Sequence, residues 1–344
     1  MMGIVLKEES LMQATMFVRV LPLTVLLLLP TSAFAQNDSN VTPAQLVDAL
    51  NAVFGKQTDN RAVHAKGVVL EGKFTPSPDA ASLSKAPHLQ STSVPVTVRF
   101  SDFAGVPTIP DTDPNASPRG LAVKFHLPDG TDTDLVTHSY NGFPTATAAE
   151  FRDLLLAIAA RPDAPKPTPL EKFFATHPIA KTFLTSEKPA PVSFGTLPYF
   201  GVNTFKLTNA KGDVTYVRYQ LQPEGGAQYL TKDQLAAAGP NYLIEEIKKR
   251  VGDGPVKFKY VAQIAEKGDK LDDPSIAWPD DRKTVELGVI EIDKAVADSD
   301  AAQRALLFIE NAVPSGIEPE DPMINIRSQA YAVSFARRHA SAAQ

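Results

Sequence analysis

The stretch PVTVRFS, Pro95 to Ser101, carries the fold in miniature. Val96, Val98 and Phe100 fall on one side of an extended chain, and Thr97, Arg99 and Ser101 on the other. Alternation of this kind marks a strand buried on one face. The same texture recurs in VVLEGKF (68–74), LAVKFHL (121–127), NTFKLTN (203–209), VTYVRYQL (214–221), VKFKYVAQIA (256–265) and TVELGVIEID (284–293). PDGTD, NAKGD and PEGG supply turns between them. The later strands follow one another too closely for helical crossovers, so the sheet is expected to be antiparallel, closed or nearly closed into a barrel.

Helical patterns flank the strands: TPAQLVDALNAVFG (42–55), ATAAEFRDLLLAIAA (146–160), PLEKFFATHPIAKTFL (169–184), KDQLAAAGPNYLIEEIKKR (232–250), DAAQRALLFIENA (300–312) and INIRSQAYAVSFARRH (324–339). The fold class is therefore α+β, a barrel with helices outside it. RPDAPKPTP and EKPAPVSFG are too short to separate independent domains.

The chain has 344 residues and no cysteine, which excludes a disulfide framework and any thiolate ligand or nucleophile. A formal net charge of −5 argues against nucleic acid or an anionic membrane as a partner. Near the N-terminus Arg19, the apolar run Leu21 to Leu29 and Ala33-Phe34-Ala35 match a cleavable secretory signal. Residues 1–35 are expected to be removed, leaving 36–344 as one domain with no membrane span, exported to the periplasm or secreted. Glu8 and Glu9 are unusual in a signal and point to Met12 or Met16 as the start.

In DPMINIRSQAY, Asp321 is placed to cap a helix and Pro322 to begin it. Residues four apart share a helical face, which aligns Met323, Arg327, Tyr331, Ser334 or Phe335, and Arg338. One reading is a partly solvated helix with a charged stripe; the other is a tyrosine held anionic by Arg327. In RAVHAKG, Arg61 and His64 stand three apart, so a bend or a bulge is needed to bring both to one face, and Gly67 follows closely. A histidine between Val63 and Ala65 is most simply a packed or surface residue. Arg99 and Ser101 share a face unaided, one that a barrel is expected to turn inward.

RAVHAKG, VPVTVRFSD, SPRGLAVKFHLPDGTDTDLV, VNTFKLTNAKGDVTYVRYQ, AWPDDRKTVELGVIEI and DPMINIRSQAYAVSFARR together resemble the haem catalases, in order and over most of the mature chain. The length is more similar to the minimal catalase-related peroxidases. The resemblance implies a catalase-like barrel with haem b between it and the C-terminal helix. It makes Tyr331 the axial iron ligand with Arg327 beside it, His64 the acid–base group, and Ser101 its orienter. Arg61, Arg99 and Arg338 match propionate-binding positions, and Gly120 and Met323 fall in the pocket. Phe143 and Phe151 are candidates to pack on the porphyrin.

Catalases carry a distal asparagine shortly after Asp-Leu-Val, where an ungapped count here gives Ser139, with Asn141 two residues late. Asn203 stands where catalases have a histidine. His88, His126, His138, His177 and His339 match no role and are expected to be solvated or packing residues. The expected activity is reduction of peroxides, organic ones included, with a small aromatic electron donor and little catalase activity. The alternatives are a hydroperoxide isomerase or dehydratase resembling allene oxide synthase, and a non-enzymatic haem-binding protein.

Overall fold

The computed structural model describes residues 41–161 and 163–342, so the expected signal lies outside the described residues. Strands β1 (Gly67–Pro76), β2 (Val94–Ser101), β3 (Gly120–His126), β4 (Asp132–His138), β5 (Tyr199–Thr208), β6 (Val214–Pro223), β7 (Val256–Ile264) and β8 (Thr284–Ala295) pair antiparallel in the order β4-β3-β2-β1-β8-β7-β6-β5. Pairing of His138 with Phe200 joins β4 to β5 and closes the cylinder. A short β9 (Ile317–Pro319) runs beside β5 at Phe205 to Leu207, where β4 does not reach.

The apolar side of PVTVRFS fills the barrel. Val96, Val98 and Phe100 join Phe74, Leu121, Phe125, Leu135, Tyr199, Phe258 and Tyr260 in one buried cluster. Aromatic rings set much of its packing: Phe100 lies 5.3 Å from Phe194, and Phe125 lies 5.9 Å from Tyr260. The interior is thus already occupied. This corrects the expectation that Arg99 and Ser101 face inward: they lie on the outer face of the sheet.

Helices α1 (Pro43–Phe54), α3 (Ala148–Ile158) and α9 (Met323–Ala342) cover part of that face, and α2 (Ala80–Leu83) is a single turn. Capping boxes start α1, from Thr42 and Gln45, and α3, from Thr147 and Glu150. A second apolar cluster, including Leu46, Leu50, Leu155, Met323 and Ala330, joins the three helices.

Three helical expectations change. PLEKFFATHPIAKTFL breaks at His177-Pro178 into α4 (Pro169–Thr176) and α5 (Pro178–Thr185), because proline disfavours helix at the residue before it. KDQLAAAGPNYLIEEIKKR divides around Gly239-Pro240 into α6 (Lys232–Ala237) and α7 (Tyr242–Asp253). In DAAQRALLFIENA only α8 (Ser299–Ala305) includes helix. Beyond it the Ile309 N–H donates to Asp134 at 2.6 Å, and Glu310 accepts the Val136 N–H at 3.2 Å, so bonds to β4 override local helix propensity.

Candidate active site

An open-mouthed cavity of about 1370 Å³, counting space continuous with solvent, lies between the outer face of the sheet and the helices. α9 supplies one lining stripe. Asp321 accepts the Met323 N–H at 2.8 Å, and from that start Met323, Arg327, Tyr331, Ser334 and Arg338 all line the cavity.

Arg327 Nε donates to the Tyr331 hydroxyl oxygen at 2.8 Å. Its other contacts hold it there: Nη1 donates to Asn203 Oδ1 at 2.5 Å and lies 3.1 Å from Glu310 Oε2. Asn203 in turn donates to Asp321 Oδ2 at 2.8 Å. Burial opposes the charge on Arg327, but Glu310 and the Tyr331 oxygen hold its pKa above the usual arginine range. The phenol oxygen thus sits against a fixed cation.

The opposing chemistry comes from the sheet. Antiparallel partners directly opposite each other project to the same face. Gly67, Ser101, Gly120 and His138 are such partners in succession across β1, β2, β3 and β4, so they form one row. His64 precedes β1 in a bend, one of the two irregularities its spacing from Arg61 called for, and has φ 55°, an uncommon left-handed value. Its N–H donates to Phe103 O at 2.8 Å, while its carbonyl accepts Arg99 Nη2 at 2.9 Å. Two anchored backbone groups offset that conformational cost.

The His64 ring packs edge-on to Phe103, with centroids 5.5 Å apart, and its Nδ1 lies 3.0 Å from Ser101 Oγ. Gly120 leaves the room for this: a Cβ there would lie 2.6 Å from Ser101 Oγ and 2.9 Å from His64 Nδ1. Burial, then the Arg99 charge, push the His64 pKa down to about 3. The imidazole is neutral at ordinary pH.

Arg61, Arg99 and Arg338 form a third group. Arg61 Nη2 and Arg338 Nη2 both donate to Leu306 O, at 2.8 and 2.6 Å, and Arg99 Nη2 donates to Gln303 Oε1 at 2.9 Å. Among the described residues none of the three has a carboxylate within ion-pair distance. Burial lowers all three pKa values, that of Arg99 to about 9 and that of Arg338 to about 10, and mutual repulsion adds to it at Arg61 and Arg99. Such a cluster is complementary to a ligand that brings carboxylates.

Phe143 and Phe151 also line the cavity, with ring centroids 4.9 Å apart. Ser139 does not stand at an amide-like position in the pocket: its Oγ accepts the Arg119 N–H at 2.9 Å and it does not line the cavity. Asn141 lines an adjacent recess, shared through Phe143 and Phe183, not the main cavity. The histidine set aside, His138, does line the main cavity. The others are packing or surface groups: His88 lies 5.0 Å from Phe125, His126 bonds Asp132 and Thr97, His177 stacks on Phe173, and His339 bonds Phe335 O.

Gln303, Glu310 and the Leu306 carbonyl were missed as well. Gln303 lies on α8 and the other two just beyond it, and only their contacts with Arg99, Arg61, Arg338 and Arg327 reveal them. For His138 a signal existed: extending strand alternation through TDTDLVTH places it in step with Val136, across from Ala122 and Arg99.

The polar groups fit haem. Three guanidinium groups lacking carboxylates await anionic arms, and Tyr331 offers an oxygen ligand beside a cation.

The sequence model of the family "Catalase" matches residues 35–344. A catalase-related peroxidase of Mycolicibacterium paratuberculosis is 36% identical over 302 residues, covering 87% of this chain and 95% of that protein. One of Synechococcus elongatus is 34% identical over 306 residues, covering 87% and 89%. A fungal catalase structure superposes with a TM-score of 0.73 at 19% identity, covering 85% of this chain and 62% of the catalase, and so shares the fold. Barrel, family match and full-length relatives agree: the chain belongs to the catalase family.

Proposed function

We propose that this protein is a haem b peroxidase that reduces hydroperoxides while oxidising a small aromatic donor, with little catalase activity. The carrying observation is that one cavity holds both the Arg327–Tyr331 pair and a neutral, oriented His64. Both relatives named above are catalase-related peroxidases and are matched over most of their length.

Haem, when bound, supplies the redox-active iron. Tyr331 would supply an oxygen ligand to that iron, and Arg327 favours its anionic form. Arg61, Arg99 and Arg338 would hold the propionates, and Phe143 and Phe151 would offer apolar surface to the ring. His64 is placed to accept the hydroperoxide O–H proton and return it to the oxygen that departs as the O–O bond breaks, giving water or an alcohol; the other oxygen ends as water, with the two electrons and two protons supplied by the aromatic donor. Ser101 holds the imidazole through Nδ1, leaving Nε2 for the substrate.

Titration of the protein with haem tests the ligand. The wild type is expected to give a tyrosinate-ligated ferric spectrum that Tyr331→Phe loses, with Arg327→Ala weakening binding less. An unchanged spectrum in the Phe variant would remove Tyr331 from the role. On the same preparation, organic hydroperoxide is expected to drive donor oxidation, and hydrogen peroxide to release little oxygen; vigorous oxygen evolution would make the protein a catalase instead. Export of the mature chain from Gln36 belongs to this reading, supported by Arg19, Leu21 to Leu29 and Ala33-Phe34-Ala35.

A further inference from the structure

We propose that His138 is a second distal imidazole that hydrogen-bonds the bound hydroperoxide, acting beside His64; this rests on the haem peroxidase reading above. Three observations carry it. His138 lines the cavity from the last position of β4. It is the direct partner of Gly120, whose missing Cβ would point at the His64 ring and Ser101 Oγ, so His138 projects from the same face and the same row as the acid–base pair. Among the described residues neither of its ring nitrogens has a hydrogen-bond partner, although both are buried.

Unpaired buried nitrogens are unfavourable, and most polar side chains placed this way have a partner. The surroundings supply none: the Phe183 ring stands edge-on, with centroids 6.4 Å apart. A half-turn about Cβ–Cγ exchanges each nitrogen with a ring carbon, so the ring can turn a nitrogen toward a ligand without leaving its site. A ligand with oxygen atoms near His64 therefore meets two imidazoles, one oriented by Ser101 and one uncommitted. His64 handles the proton, and His138 donates an N–H to the peroxide, fixing its direction in the pocket.

The test compares His138→Leu and His138→Asn, near-isosteric with each other but differing in donor capacity, in full-length, haem-loaded protein. Cyanide affinity of the ferric form and the C–O stretching frequency of the ferrous carbon monoxide complex report donors to a ligand without turnover. In the Leu variant cyanide affinity is expected to fall about tenfold, as for loss of a strong hydrogen bond, and the C–O stretch to rise; Asn is expected to restore much of both. If both readouts in the Leu variant equal wild type while His64→Leu moves them, His138 has no part in ligand binding and the peroxidase reading stands. Equal displacement in Leu and Asn variants would make His138 a packing residue and overturn the proposal. Failure of the wild type to take up haem would overturn the underlying reading as well.

Discussion

His64 illustrates how position decides chemistry. An exposed histidine titrates near ~6.5, whereas burial and the Arg99 charge hold this one down at about 3. The neutral ring is the form that accepts a proton, so the pH profile of the peroxide step is expected to stay level from neutrality down to about pH 4. A midpoint near 6.5 in stopped-flow measurements would mean that the ring is solvated or not the acceptor. His64→Ala is expected to keep haem yet slow that step by ~10²–10⁴-fold, the usual worth of a positioned acid–base group, with Ser101→Ala costing less. The Tyr331 side was readable because helical spacing is regular: once Asp321 and Pro322 start a helix, Arg327, Tyr331 and Arg338 fall into one stripe. His64 was not readable from spacing, since no strand or helix places it; its left-handed bend is imposed by Phe103 and Arg99, remote in sequence.

At the level of elements, the distal side depends on one cross-strand row, and its tightest point is Gly120. Alanine there brings a methyl group to 2.6 Å from Ser101 Oγ and 2.9 Å from His64 Nδ1, distances that force movement. Gly120→Ala is expected to leave haem binding in place, because Tyr331 and the three arginines lie elsewhere, while slowing the peroxide step about 10²-fold through displacement of the imidazole. Equal rates in the two proteins would show that the His64 position is not critical. Strands with one apolar side, such as β2, were legible in the sequence. β4 had the alternation but was masked, because its outer positions carry Asp132, Asp134 and His138, with Asp134 engaged by Lys124 at 2.8 Å across to β3. An acidic stretch therefore looked like turn, and with β4 unread, His138 went unplaced.

For the whole molecule, the interior of the barrel is a filled apolar core and the chemistry occupies the layer between sheet and helices. Alternation alone separated the two faces of the sheet, but only the aromatic filling of the interior decides which face encloses the cavity. The N-terminal signal reading predicts that intact mass of the exported protein corresponds to a chain beginning at Gln36. Recovery of only the uncleaved chain, confined to the cytoplasm, would contradict it. The closure of the cylinder has a mechanical consequence. Most neighbouring strands share long ladders, whereas β4 and β5 are bridged only at His138 and Phe200. The cylinder therefore has a built-in seam, and thermal breathing concentrates along it. Amide exchange would be fastest there, and filling the cavity beside His138 would act as a clasp on the barrel wall.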